Sequence, residues 1–259
     1  MKADIDRLMA KHNLDVIVVL SGEEPSTYRR YLMNGVEANG HVIKVRDQAP
    51  IAIVSPMETE KAAPSGLKIY TPYDFGMGEA QKQYKGDRAA VQRAYFATIF
   101  EKLGLRGRVA FYGTGDIFWA TRLVKDVFST LATIEIVTDF AVGDLFEAAY
   151  RTKDAAEIAQ LKRVAQLSGE VVKATHGFLT GLHAAPDGSV TDASGTPVTI
   201  GAVKRFISYQ LLERGLENAN GHMIFAQGRD AGFPHSSGQD DLLRSYRFSI
   251  RKTYGACYV

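Results

Sequence analysis

The chain carries one cysteine, Cys257, among 259 residues. It can form no intrachain disulfide, and one thiol makes no zinc cluster. That usage fits a reducing cytosol, so a cytoplasmic location is expected. Long apolar runs are also missing: nothing approaches the roughly 18 residues of a membrane span. The start, Met1-Lys-Ala-Asp-Ile-Asp-Arg7, has early acidic residues and no apolar segment, so no secretory signal is read there. Neither sign of charge dominates, since 31 Lys and Arg against 29 Asp and Glu leave +2. Nucleic acid is therefore not expected as a partner, because phosphate binding needs a concentrated basic face, which Arg247, Arg251 and Lys252 are too few to supply. Gly-x-Ser-x-Gly is absent, and Ser236-Ser237-Gly238 lacks the strand–turn–helix setting of an activated serine.

What is present reads as a soluble globular protein, with 46% apolar and 23% charged residues. The length allows two domains or one large one. Residues 2–12 have Ile5, Leu8 and Met9 at helical spacing. Leu14 to Leu20 is a β-branched run ending at Ser21-Gly22, the pattern of a buried strand. A helix is expected from Ser26 to Met33, then strands at His41–Val45 and Ile51–Val54 joined by a turn over residues 46–50. Lys68–Tyr70 is a short strand. Asp87 caps a long helix over Arg88–Leu103, with Val91, Ala94, Tyr95, Ile99 and Leu103 inward and Gly104 at its end. A strand at Arg108–Tyr112, a helix at Asp116–Phe128 and a strand at Ile134–Val137 follow. Such alternation specifies an α/β layer domain with a covered sheet.

A second unit opens near residue 150. Asp154-x-x-Glu157 has the form of a capping box, in which each side chain satisfies a backbone N–H of the other residue. The helix behind it runs from Ala155 to about Leu179, with Ile158, Leu161, Val164, Ala165, Leu167, Val171 and Val172 expected inside. Residues 183–196 read as an exposed loop. Thr199–Arg214 is a second amphipathic helix, and Met223–Phe225 a brief strand.

Of the histidines, His176 and His222 are read as packed or exposed structural residues, and His12 and His41 have no carboxylate or thiol partners at metal-ligand spacing. Gly113-Thr-Gly115 follows a strand and opens a helix, as in a dinucleotide site. Phe118 stands where the third glycine belongs, so nucleotide binding is not expected. Trp119 is assigned to the core or a domain interface. Cys257 has no histidine near it in sequence.

Tyr150-Arg-Thr-Lys-Asp-Ala-Ala-Glu-Ile158 and Gly228-Arg-Asp-Ala-Gly-Phe-Pro-His235, in that order after Leu14–Leu20, Glu24-Pro25 and Tyr31-Leu32, resemble the pita-bread metallopeptidases: the Xaa-Pro aminopeptidase, prolidase and creatinase family. The resemblance covers nearly all of residues 1–244. It implies a creatinase/prolidase-type N-terminal domain with a mixed sheet flanked by helices over 1–149. It further implies the start of an α+β pita-bread catalytic domain over 150–244. By resemblance, His235 hydrogen-bonds the substrate or the tetrahedral intermediate, a role suited to an imidazole near neutral pH. Full-length relatives are expected to act on proline-containing peptides, with two divalent metals (Mn, Co or Zn) held by two aspartates, a histidine and two glutamates. Those ligands lie C-terminal to the His235 segment.

After Arg244 the resemblance stops. Residues 245–259 contain no Asp, Glu or His. They show neither the glycine turn nor the apolar strand ending in aspartate that the family pattern has next. Asp240 and Asp241 correspond to a surface acidic pair. The expectation is a frame-shifted or truncated catalytic domain followed by an aberrant tail, with a genuine short protein carrying its own tail as the other possibility. Such a chain is expected to hold no metal and to be inactive alone, with a non-catalytic dimerisation module or a creatinase-like C–N hydrolase as alternatives. Uncovered helix faces around Val164, Leu167, Phe206 and Leu211 are expected to lead either to a homo-oligomer or to marginal stability of this half, while the N-terminal pattern is self-consistent enough to fold alone.

Overall fold

The computed structural model describes residues 3–22, 24–218, 221, 223–245 and 248–251. The chain forms two compact units, Met1–Lys153 and Asp154–Val259.

The first unit opens with α1 (Ala3–Lys11), which buries Ile5, Leu8 and Met9. Then come β1 (Val16–Val19), α2 (Thr27–Leu32), β2 (Gly40–Val45), β3 (Ile51–Val54), α3 (Thr59–Ala62) and β4 (Lys68–Tyr70). The remainder is α4 (Met77–Gln83), α5 (Arg88–Lys102), β5 (Gly107–Tyr112), α6 (Ile117–Asp126), β6 (Ile134–Ile136), α7 (Phe140–Gly143) and α8 (Leu145–Tyr150). The six strands make one sheet in the order β4-β3-β2-β1-β5-β6. β1 runs parallel to β5 and antiparallel to β2, which pairs antiparallel with β3. β3–β4 and β5–β6 are parallel.

Helices cover both faces, so all four residues of β1 are buried. Side chains alternate between two cores, as the strand period of two demands. Ile17, Val19, Val42, Ala52 and Val54 pack with Tyr31 and Leu32 of α2 and Phe146 of α8. Val16, Val18, Ile43, Ile53 and Val109 pack with Tyr95, Phe96, Ile99 and Phe100 of α5, Leu123 of α6 and Phe128. Phe96 and Phe100 thus lie deeper than the expected Val91, Ala94 and Leu103, because α5 turns its aromatic edge to the sheet. Lys44 points into the interior with only 2% exposure. Its ammonium is satisfied there by the Asp6 carboxylate and by the carbonyls of Val45, at 3.1 Å, and Gln48, at 2.6 Å.

The second unit contains α9 (Ala155–Thr180), the two-residue strands β7 (His183–Ala184) and β8 (Val190–Thr191), α10 (Ile200–Glu213), β9 (Ile224–Gln227) and β10 (Phe248–Arg251). The capping box of α9 forms, with the Glu157 N–H on Asp154 and the Asp154 N–H on Glu157, both at 2.9 Å. The inward face expected for α9 is corrected in part: Val171 is buried and Val164 and Leu167 are half-buried, but the rest is not. Within this unit Ile158, Leu161 and Val172 are 43%, 56% and 50% exposed, and Ala165 is exposed. Only Ser168, Val171 and Thr175 are buried. Periodicity defined an apolar stripe, but among the described residues this unit has no broad sheet to cover it. Its core is small: Val190, Val198, Ile200, Val203, Phe225 and Leu243.

One further expectation changes, and the segment beyond Arg244 adds a strand. Residues 183–196 hold the β7–β8 ladder and the buried Val190, because a hairpin two residues deep leaves no periodic signal. In the segment after Arg244, Phe248–Arg251 is a strand antiparallel to β9. His222, Cys257, Arg247 and Lys252 lie outside the described residues. Among the described residues no helix is long and apolar enough to cross a membrane.

Candidate functional site

The His235 segment is an excursion between β9 and a returning chain. Gly228 and Arg229 turn out of β9, a 3-10 turn covers Asp230–Gly232, and the Ser236 N–H closes on the Phe233 carbonyl at 3.1 Å. Gly238 is required where the loop comes back. Its φ is +83°, and a Cβ there would lie 2.3 Å from the Phe225 carbonyl oxygen. The Gln227 side chain ties the return to β9: its Nε2 donates to the Leu242 carbonyl at 2.7 Å and its Oε1 accepts from the Arg244 N–H at 2.9 Å. The Leu243 N–H donates to Val198 and the Ile200 N–H to Asp241. Asp240 is a structural acid, accepting the Gly201 N–H at 2.7 Å at the start of α10. Hydrogen bonds from the Thr199 hydroxyl, and then from that N–H, hold its carboxyl below the usual range.

A cleft of about 330 Å³ lies inside this excursion, walled by Gln227, Arg229, Asp230, Asp241 and Arg244 among others. His235 is exposed on the turn and does not line it. Among the described residues no three His, Cys, Asp or Glu side chains gather where they could hold a metal ion. The described residues therefore do not fit the metal pair that the resemblance implies, and no metal-assisted step is assigned to them. His176 and His183 are exposed.

The first unit holds a larger crevice, about 720 Å³, which sequence reasoning missed. It lies at the carboxyl ends of β1 and β5. Beyond those ends α2 packs on one face of the sheet and α6 on the other, so the two loops part. Such a switch of direction opens a crevice in an α/β sheet. Ser21, Gly22 and Glu24 come from the β1 loop, and Thr114, Gly115 and Asp116 from the β5 loop. His41 comes from the start of the antiparallel β2, Tyr95 from α5, and Met77 and Trp119 complete an apolar side. The loops touch at Gly22, where a Cβ would meet the Thr114 carbonyl oxygen at 2.5 Å.

His41 is not a bland surface histidine. Its Nδ1 accepts the Ser21 N–H at 3.0 Å, so the neutral ring carries its proton on Nε2. Burial, and then the nearby Arg29 guanidinium, push its pKa down to about 4. Its ring meets Phe96 edge-on at 5.2 Å. Burial also pushes the Tyr95 hydroxyl pKa up. Trp119 is 41% exposed within its unit, which corrects the expectation that it fills a core there. The one sequence signal for this crevice was Gly113-Thr-Gly115 between a strand and a helix. The other residues come from segments tens of positions apart.

By sequence, no protein-family model and no curated protein matches the chain. Solved structures do match its fold. Prolidase from Pyrococcus furiosus superposes with a TM-score of 0.61 at 15% identity, over 94% of this chain and 62% of that one. X-Pro aminopeptidase from Thermotoga maritima MSB8 gives 0.60 at 14%, over 94% and 58%. Dipeptidase PepE from Mycobacterium ulcerans gives 0.58 at 15%, over 93% and 56%. The chain spans about three fifths of the length of these structures, and over that length it has the mixed α/β fold they share.

Proposed function

We propose that this chain is part of an Xaa-Pro aminopeptidase- or dipeptidase-like metallo-exopeptidase, and that it does not hydrolyse Xaa-Pro peptides by itself. The observation that carries the reading is the likeness to the P. furiosus prolidase over 94% of the chain. The order of the Tyr150–Ile158 and Gly228–His235 motifs supports it independently of geometry. In this reading residues 1–149 form the creatinase/prolidase-type domain, and residues 150–244 begin the catalytic domain. His235, exposed and with no described partner, is free to hydrogen-bond a proline-containing peptide or its tetrahedral intermediate. The divalent metals of such chemistry need ligands beyond the described residues. The cytoplasm is the proposed location.

The test is elemental analysis of the purified chain alongside Xaa-Pro hydrolysis with added manganese or cobalt. The expected result is substoichiometric metal and no turnover. Near-stoichiometric metal with turnover overturns the inactive reading and places the ligands outside the described residues or on a second copy. A second reading, a non-catalytic association module, is favoured by the exposed Ile158, Leu161 and Val172 of α9. It predicts a concentration-dependent dimer by sedimentation.

A further inference from the structure

The crevice between β1 and β5 is walled by polar groups that the chain itself leaves unused. Tyr95 is 1% exposed, and its hydroxyl has no hydrogen-bond partner. Thr114 Oγ1 is likewise enclosed without one. Arg29, also 1% exposed, donates from Nη2 to the Glu24 carbonyl at 2.8 Å, while its Nε and Nη1 find no partner. Buried polar groups are almost always paired, and an unpaired one is costly. Tyr95 and Thr114 both line the crevice, so their two unpaired hydroxyls point to a missing acceptor, while Arg29 lies behind the lining, near enough to His41 to disfavour its protonation. His41, also in the lining, adds a third donor, the Nε2–H fixed by its bond from Ser21. The inner end of the crevice thus offers hydrogen-bond donors in the field of a buried guanidinium.

The mouth has the opposite character. Glu24 and Asp116 are both exposed on it, and Asp116 spends one oxygen on the Trp119 N–H. Two carboxylates there disfavour a multiply charged anion such as phosphate, and favour a ligand with a cationic end. Met77 and Trp119 add apolar surface to the lining.

We propose that this crevice binds a zwitterion of the α-amino acid or short-peptide class. Its carboxylate lies inward on Tyr95 and His41 within the field of Arg29. Its ammonium lies outward by Glu24 and Asp116, and its side chain rests on Trp119 and Met77. The site belongs wholly to the N-terminal unit and does not rest on the peptidase reading.

Isothermal titration of the full chain with L-phenylalanine and the dipeptide Ala-Phe tests the assignment, with inorganic phosphate and N-acetyl-phenylalanine as comparisons. Saturable binding of the zwitterions is expected, with N-acetyl-phenylalanine weaker by about fivefold to tenfold and phosphate weaker still. Tyr95→Phe is expected to lower affinity by a similar factor while raising the unliganded Tm by about 2–4 °C, since it removes an unpaired buried hydroxyl. Trp119→Ala, at a partly exposed position, is expected to weaken Phe binding more than Ala binding. Absence of saturable zwitterion binding overturns the proposal. So does a Tyr95→Phe chain that is stabilised but binds as before, or phosphate binding more tightly than the amino acids. Xaa-Pro turnover does not enter these readouts, so the two readings fail separately.

Discussion

In the N-terminal unit the four residues of β1 are all buried, with helices on both faces of a six-stranded sheet. In the C-terminal unit the 26-residue α9 buries three side chains, and among the described residues the ladders are two strands wide. Both regions read as strongly patterned in sequence. Helical periodicity tells which residues of a helix can be covered, and only the surface opposite decides whether they are. A sheet wide enough to present two faces turns pattern into burial; a narrow ladder does not.

The largest expected effect tests the filled side of this comparison. Phe128 is fully buried between α5 and β5, stacked on Phe111 at 4.1 Å and edge-on to Phe96 at 4.8 Å. Phe128→Ala is expected to lose about 3–5 kcal/mol in denaturant unfolding of this unit. A loss below about 1 kcal/mol breaks the claim of a close-packed sheet core.

Acid unfolding comes next. The folded His41 pKa, about 4, lies below the ordinary value of 6.5. The unfolded chain therefore takes up a proton on His41 between pH 6.5 and 4 that the folded chain refuses. Stability from this group is intact above pH 6.5 and lost as the pH falls, up to about 3 kcal/mol by pH 4. Chemical denaturation between pH 7 and 4 checks this, and His41→Leu is expected to flatten the slope.

Two smaller effects sharpen the other side. Asp154→Ala removes the side chain that accepts the Glu157 N–H, and is expected to cost about 1 kcal/mol, read as faster amide exchange in the first turn of α9. Leu161→Ala, at a position 56% exposed, is expected to change stability by less than about 0.5 kcal/mol. A larger loss at dilute protein shows that something covers this face of α9.

The readable parts were those whose signal is local. Val16–Val19, the caps at Asp87 and Asp154, and the β2–β3 hairpin follow from side chains within a few residues of each other. The helices at 140–150 were not read, because Asp139–Gly143 mixes Phe, Ala, Val and Gly in a single turn with no repeat. His235 was legible as part of a motif, but its exposure on a turn was not. The crevice was hidden for a deeper reason. His41, Tyr95 and Thr114 meet only because β2 runs against β1 and β5 beside it, a long-range fact that no window of sequence contains.

Gln227 clamps the two feet of the 228–241 excursion with one amide, whatever the intervening residues are. The stem is thereby decoupled from the tip. Residues 229–237 can lengthen, shorten or be grafted from another scaffold while the stem keeps its geometry, provided that Gly238 retains its positive φ. Such a segment behaves as an exchangeable cassette: a place where recognition can be rewritten at little risk to folding.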